Sequence, residues 1–573
     1  MSGGLGIGSL RKPAVLVPLG LFLASFLLRL VGIGWGLPNA LHNQTYHPDE
    51  LLNYGVSQQL DIAHGNLTPH FYNYGTAYFL AENIAAKVVN AYGGSSGAQG
   101  WKGVGRDILV GRILSALAGS GTVVVIWLIL RRITTQFGAL VGSALMAVAP
   151  GFLVHSRFET VDVFATFWLA LSALFALRVI GAMPDSMADR DHREPRDMRD
   201  ALLAGLFAGI SMGTKYSGVL VILVLWLALV LTRRPGWWKA VIVGTMACFA
   251  AFVLTTPGFF LESDRFWKNF GEELGHSSSG HGLVFIGTPS GFLYHLINLA
   301  VGLGIFATIA GIVGLGFGAF RRHKWAVALL VFAAAYYIVI GRAEVKFLRY
   351  TFPLLVPLTV AYGYAMGTAF RRKGTVGQAL AVVGVFALSG NPLVLDFGGL
   401  IGAAQNTYHM VVKDSRDEAA EELERVAANG SVGLVSDPWF YTPPLISDSG
   451  LNRDQLPMIY DEVSQASHPR LIRYIPNGDL RERVDWDVRL LTEGKPDYVV
   501  FSSFEAIDLE RLSVASGLDP GTQAAVDRYK QFGEVLGKQY RQFAGFGIDT
   551  TPPIHDLMYI RPTIWVWKRN DLP

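Results

Sequence analysis

The chain has 573 residues, of which 51% are hydrophobic and only 16% charged, with 64 glycines. Charge that sparse over that length excludes an ordinary soluble multidomain protein and fits a polytopic membrane protein. The formal net charge of +3 gives no argument for nucleic acid, and a single cysteine, Cys248, excludes an intrachain disulfide and a thiolate metal cluster.

Arg11 and Lys12 precede the first apolar run, which is long enough to span and is followed by no small-residue cleavage site, so no cleavable signal peptide is read here. A span needs about 20 largely apolar residues. Such runs begin near Ala14, Ile108, Phe137, Val163, Ala201, Val219, Ala240, Phe292, Ala326, Phe352 and Val376, about eleven in all. Arg11/Lys12, Arg131/Arg132, Arg190 to Arg199, Arg233/Arg234/Lys239, Arg321/Arg322/Lys324 and Arg371/Arg372/Lys373 fall in alternate connections. Basic residues accumulate on the cytoplasmic side, which assigns those connections there. Between Ala201 and Leu231 there is too little chain for two full spans, yet basic connections flank both ends. A tight hairpin resolves this, and its tip, "TKYSG", places Lys215 below the outer surface. Between Leu51 and Arg106, "TAYFLAENIAAKVVNAY" has an amphipathic pattern suited to the membrane interface.

After the last span the chain becomes polar, with a helical pattern in "DSRDEAAEELERVAANG" and strand-like runs in "VGLVSD", "DYVVF" and "TIWVW". The expected fold is therefore an α-helical polytopic membrane domain, residues 1–399, followed by a soluble α/β domain, residues 400–573, on the non-cytoplasmic side.

The topology delivers a set of ionisable residues to that side. "HNQTYHPDELL" carries the adjacent acids Asp49 and Glu50; "HSRFETVD" carries Arg157, Glu159 and Asp162; the hairpin tip carries Lys215; "HSSSGHG" carries His276 and His281; and "GRAEVKFLRY" carries Arg342, Lys346 and Arg349. Cations on the outer side run against the positive-inside tendency and call for an anionic partner at the interface, for which a lipid phosphate is the obvious species. Bland readings stand beside these: loop solvation for the acids, an Arg157–Asp162 ion pair, headgroup anchoring for Arg342 and Arg349, and a flexible loop for the two histidines, which lack a third ligand at a zinc spacing.

Together, "YHPDE", "HSRFETVDVFATFW", "GTKYSG" and "KFLRYTFPLLVP" resemble the integral-membrane glycosyltransferases of the GT-C class, in particular the protein O-mannosyltransferase and aminoarabinose-transferase-like branch. The resemblance covers about residues 10 to 395, and departs where many relatives carry a Pro-Pro segment and this chain reads "HFYNYGTAY". It implies inverting transfer of a sugar from a polyprenyl- or dolichyl-phosphate carrier to a hydroxyl acceptor (protein, lipid or glycan), with the site on the non-cytoplasmic face, among membrane lipids and without nucleic acid. Asp49 is then the general base, with Glu50 beside it in support. Lys215, Arg342, Arg349 and His281 are the candidates for the donor phosphate. Glu159 and Asp162 form a second acidic site that binds sugar hydroxyls, a cation or a divalent metal; no cofactor is otherwise implied. The competing reading is a transporter or flippase of an anionic lipid-linked substrate, which should show broken helices in paired halves.

Overall fold

The computed structural model describes residues 13–39, 42, 44–92, 101–183, 197–371, 373–374, 377–378, 399–445, 469–547 and 554–573. The run near Val376, expected as the last span, and the start of the Arg190–Arg199 connection lie outside the described residues.

The membrane half opens with α1 (Pro13–Leu30), a short α2 (Glu50–Gln58) and α3 (Ala77–Tyr92). It continues through α4 (Trp101–Leu130), α5 (Gln136–Val148), α6 (Pro150–His155) and α7 (Val161–Ile180). Next come α8 (Asp197–Met212), α9 (Ile222–Thr232), α10 (Trp237–Thr255), α11 (Gly258–Leu261) and α12 (Ser263–Ser279). The last helices of this half are α13 (Gly291–Leu303), α14 (Ile305–Phe320), α15 (Lys324–Gly341) and α16 (Phe352–Ala369).

Among the described residues, α4, α7, α10, α15 and the run Leu348–Ala369 are each long and apolar enough to cross a membrane, which makes 5; counting the α13–α14 pair as one span makes 6. Of the other predicted runs, those near Ala14, Phe137, Ala201 and Val219 fall on shorter helices, and two of the breaks have a physical reason. Pro150 ends α5 and starts α6, because proline supplies no N–H to continue the helix and sits well at a first turn. The run predicted as one span from Phe292 is bent by 111° between α13 and α14. The break is at Gly304, whose φ of +106° is closed to residues with a Cβ.

Outward faces are apolar, as a helix in lipid requires. On α14 Ile309, Val313 and Phe320 are exposed, and on α10 Ile242, Met246 and Leu254. Helix α3 has the inverted pattern of an interfacial segment: its exposed stripe is Ile84, Val88 and Tyr92, while Glu82 and Asn83 turn inward.

The hairpin expected between Ala201 and Leu231 is present, with α8 as its first arm and a 3-10 turn (Tyr216–Val221) leading into α9. Helix α8 lies directly against α10 through small residues. A Cβ at Gly205 would stand 1.9 Å from the Gly244 carbonyl oxygen, and one at Gly209 2.1 Å from that of Cys248. This four-residue spacing of glycines is how membrane helices bring backbones into contact. The same row ends at Gly213, whose carbonyl accepts the Ala77 N–H at 2.8 Å and so seats the hairpin tip on the start of α3.

The C-terminal part holds a five-stranded sheet in the order β2-β1-β3-β5-β4, built from β1 (Ser431–Leu434), β2 (Arg470–Ile472), β3 (Tyr498–Ser502), β4 (Tyr540–Phe546) and β5 (Ile564–Arg569). Strands β2, β1 and β3 are parallel, and β5 and β4 close the sheet antiparallel. Aliphatic side chains cover one face and a Trp/Phe/Leu cluster the other. The sequence pattern anticipated β1, β3 and β5 but not β2 or β4; β4 is exposed along much of its length and lacks a clean alternation.

The two parts meet in one core. Phe440, Ile554, Leu557, Tyr559 and Ile560 from the C-terminal part are buried together with residues of α4, α5, α7 and α16. Helix Gly399–His409 contributes Thr407, whose Oγ1 accepts from Arg157 at 3.0 Å. Arg157 therefore does not pair with Asp162, the bland alternative above. Arg416, fully buried, is held by Asp414 at 2.7 Å and lies 3.7 Å over the Tyr46 ring, clamping the C-terminal part onto the loop between α1 and α2.

Candidate active site

Asp49 is the N-cap residue of α2, and its main-chain carbonyl accepts the Asn53 N–H at 3.0 Å. Its own N–H donates to His47 Nδ1 at 3.2 Å, and Pro48 restricts the approach. The carboxylate meets the Arg349 guanidinium at 3.0 Å and retains 29% exposure. The helix begins with the very next residue, and successive helical side chains diverge by roughly 100°. Glu50 accordingly points the other way. It has no exposure and is gripped by Arg112 through Nε at 2.8 Å and a second guanidinium nitrogen at 2.7 Å. Its remaining lone pair accepts the Glu159 N–H at 2.9 Å.

Arg349 stands on the 3-10 turn Leu348–Thr351 that opens into α16. Besides Asp49, its guanidinium lies 3.9 Å from Asp162 and 3.8 Å from Asp556, and it stacks over the Phe347 ring at 4.1 Å. Lys215 comes down from the hairpin tip, reaches Asp162 at 2.5 Å and sits 4.2 Å over the Tyr350 ring. Asp162, in the first turn of α7, thus bridges the two cations. Beside them opens a cavity of about 360 Å³, lined by Lys215, Arg342, Glu273, Tyr216 and Tyr350 together with apolar residues such as Phe270 and Val339.

The structure therefore brings Asp49, Asp162, Lys215 and Arg349 into one network, with Arg342 on the adjoining cavity wall. His281 lies at its edge: its ring packs against Phe347 at 5.3 Å and its Nδ1 is 3.0 Å from His276 Nε2. Burial, with His276 and Arg349 adding to it, pushes the His281 imidazole below its ordinary value. Glu50 and Glu159 do not join. Glu159 is fully buried beside Glu82, and burial raises both carboxyls. Among the described residues no group of three or more His, Cys, Asp or Glu converges as metal ligands. Asp49 and Asp162 are instead held by cations, Asp49 by Arg349 and Asp162 by Lys215.

Asp556, which sequence reasoning missed, is contributed by the C-terminal part. It is fully buried, accepts the Arg349 N–H at 3.1 Å and faces His155 Nε2 at 3.5 Å. Burial alone would raise this carboxyl; the Arg349 guanidinium and His155 overcome it and hold it well below the usual carboxylate range. Burial pushes His47 down to about 3 and His555 to about 4, which leaves both rings neutral at the edge of the network. In "PPIHDLMY" nothing marks Asp556, because its partners lie some two hundred residues away or more.

Residues 20–270, which hold Asp49, Asp162 and Lys215, match the family model for dolichyl-phosphate-mannose-protein mannosyltransferases. The match runs from α1 into α12. No curated protein sequence matches the chain. Among solved structures, the chain is similar to ArnT from Cupriavidus metallidurans in the apo state at 17% identity, covering 96% of this chain and 98% of that one, with a TM-score of 0.46. It is also similar to the Archaeoglobus fulgidus oligosaccharyltransferase tethered with an acceptor peptide, at 12% identity over 96% of this chain and 76% of that one, TM-score 0.49. The Saccharomyces cerevisiae protein O-mannosyltransferase complex bound to its sugar donor matches over 46% of this chain and 35% of that one, at 16% identity and TM-score 0.30. These are partial likenesses.

Proposed function

We propose that the chain transfers a sugar, with inversion, from a polyprenyl- or dolichyl-phosphate carrier to a hydroxyl acceptor on the non-cytoplasmic face of the cell membrane. Residues 1–399 act as the transferase domain and 400–573 as a domain on that same face. The observation that carries this reading is the placement of one partly exposed carboxylate, Asp49, against a cluster of cations beside an apolar cavity. The acceptor hydroxyl gives its proton to Asp49 as its oxygen attacks the anomeric carbon; the bond from that carbon to the phosphate oxygen breaks, and the lipid phosphate leaves. Lys215, Arg342 and Arg349 offset the charge that accumulates on the leaving phosphate, and the apolar wall takes the start of the prenyl chain. Asp162 orients Lys215, Asp556 orients Arg349, and Glu50 fixes the first turn of α2 from behind.

The test is Asp49→Asn, which keeps size and hydrogen bonding but removes basicity. General base catalysis is worth about 10²–10⁴ in rate. Single-turnover transfer from radiolabelled polyprenyl-phosphate sugars to cell-envelope fractions should fall by at least that order while donor binding survives. Near-normal turnover would eliminate Asp49 as the base.

A further inference from the structure

The C-terminal part contains a second cavity, of about 620 Å³, that the reaction described above does not use. Its position follows from the sheet. With the order β2-β1-β3, the chain leaves β1 towards one edge and returns to β3 on the other side, so the connections diverge between the carboxyl ends of those strands. In open α/β sheets that crevice is where ligands bind. The cavity is lined there by Ser436 and Asp437, just after β1, and by Phe504, Glu505 and Asp508, just after β3.

The lining chemistry selects the ligand. Arg473 pairs with both Asp437 and Asp485, Arg483 with Asp437 and Arg511 with Asp508, so these cations around the crevice are engaged by its own carboxylates, which disfavours the phosphates that such positions often take. Trp439, Tyr441, Trp486 and Phe504 supply aromatic surface in the same cavity. Flat apolar rings interleaved with carboxylate acceptors suit a ligand with C–H faces and many hydroxyl donors. The crevice is not isolated from the active site. Phe504 stacks on His555 at 4.7 Å, His555 lies 5.7 Å from Phe347, and Phe347 carries the Arg349 guanidinium.

We propose that this crevice is a binding site for a neutral glycan and holds the acceptor of the transfer reaction; the acceptor assignment rests on the transferase reading above, the glycan site does not. The full-length protein in nanodiscs would be probed by saturation-transfer NMR with neutral hexose and pentose di- to tetrasaccharides, and with inorganic phosphate and ADP as anionic probes. Saturation of a neutral glycan is expected. The affinity should weaken at least about tenfold in Trp439→Ala, as for loss of an anchoring ring, and return in Trp439→Phe. Asp485→Asn, on a 62% exposed side chain, should weaken it, while the buried Arg473 that Asp485 pairs with keeps Asp437 as its partner. No saturation of any glycan, equal saturation in all variants, or preference for ADP or phosphate would each overturn the site. Run in the Asp49→Asn background, glycan binding should be unchanged, so a failure of the reaction scheme and a failure of the crevice are read separately. In turnover, Trp439→Ala should raise the acceptor KM and leave kcat and donor affinity alone; an unchanged KM removes the acceptor role.

Discussion

Asp49 and Glu50 share a peptide bond and little else. The start of α2 between them sends one carboxylate towards Arg349 and the other into a sealed pocket with Arg112. For Glu50 the consequence is energetic. Removing one member of a buried, hydrogen-bonded ion pair leaves the other charge uncompensated, at a cost of about 3–5 kcal/mol. Glu50→Gln should therefore lower thermal stability sharply, while the correctly folded fraction keeps its donor affinity; melting curves and donor binding on the purified variant measure both. An unchanged melting temperature would mean that Arg112 finds another partner. The acidic motif, the hairpin lysine and the late arginine were readable because each sits in a short outer connection flanked by apolar runs. The opposed directions of neighbouring acids were not, since they depend on where a helix starts. Asp556 was unreadable for a different reason: its whole significance is tertiary.

The hairpin α8–α9 was legible at the scale of elements because basic connections on both sides allow no single crossing. The contacts that seat its tip were not legible: the close approach of α8 to α10, and Gly213 against the loop at Gly75, where a Cβ would fall 2.0 Å from the Gly213 carbonyl oxygen. The glycine row at 205, 209 and 213 is thus a ruler for the position of Lys215. Gly209→Val should force the backbones apart. Overpacking of this kind costs typically about 1–3 kcal/mol, and here it should also move the tip that carries Lys215. The expected result is a lower melting temperature together with weaker donor binding. Gly271→Ala on α12, where nothing lies within 4 Å of the added Cβ, serves as the control and should change neither. Weaker stability with intact donor affinity would show that the tip is held independently of the helix row. The break between α13 and α14 belongs to the same class of feature. Composition marked one apolar run there, and only the backbone at Gly304 reveals that it turns.

On the scale of the whole molecule, the sidedness of the C-terminal domain can be argued in two ways that do not share assumptions. Alternating basic connections place it opposite the cytoplasm, but that argument needs a correct count of spans, and the run near Val376 lies outside the described residues. Direct contact needs no count. Tyr46 donates to Asp417, Trp35 donates to Asp414 at 3.0 Å, and Asp49 and Asp556 share Arg349, so the first outer loop and the C-terminal part occupy one side whatever lies between them. The prediction concerns both arguments at once. In a Cys248→Ser background, His64→Cys in the first outer loop and Val514→Cys in the C-terminal domain occupy exposed positions, with 82% and 88% exposure. Both should react with a membrane-impermeant maleimide added to intact spheroplasts, and at comparable rates. Reaction of neither until the membrane is opened would invert the orientation read from the basic residues but leave the contact argument standing. Reaction of one alone would break the contact argument itself, because residues joined through Arg349 cannot lie on opposite faces of a bilayer.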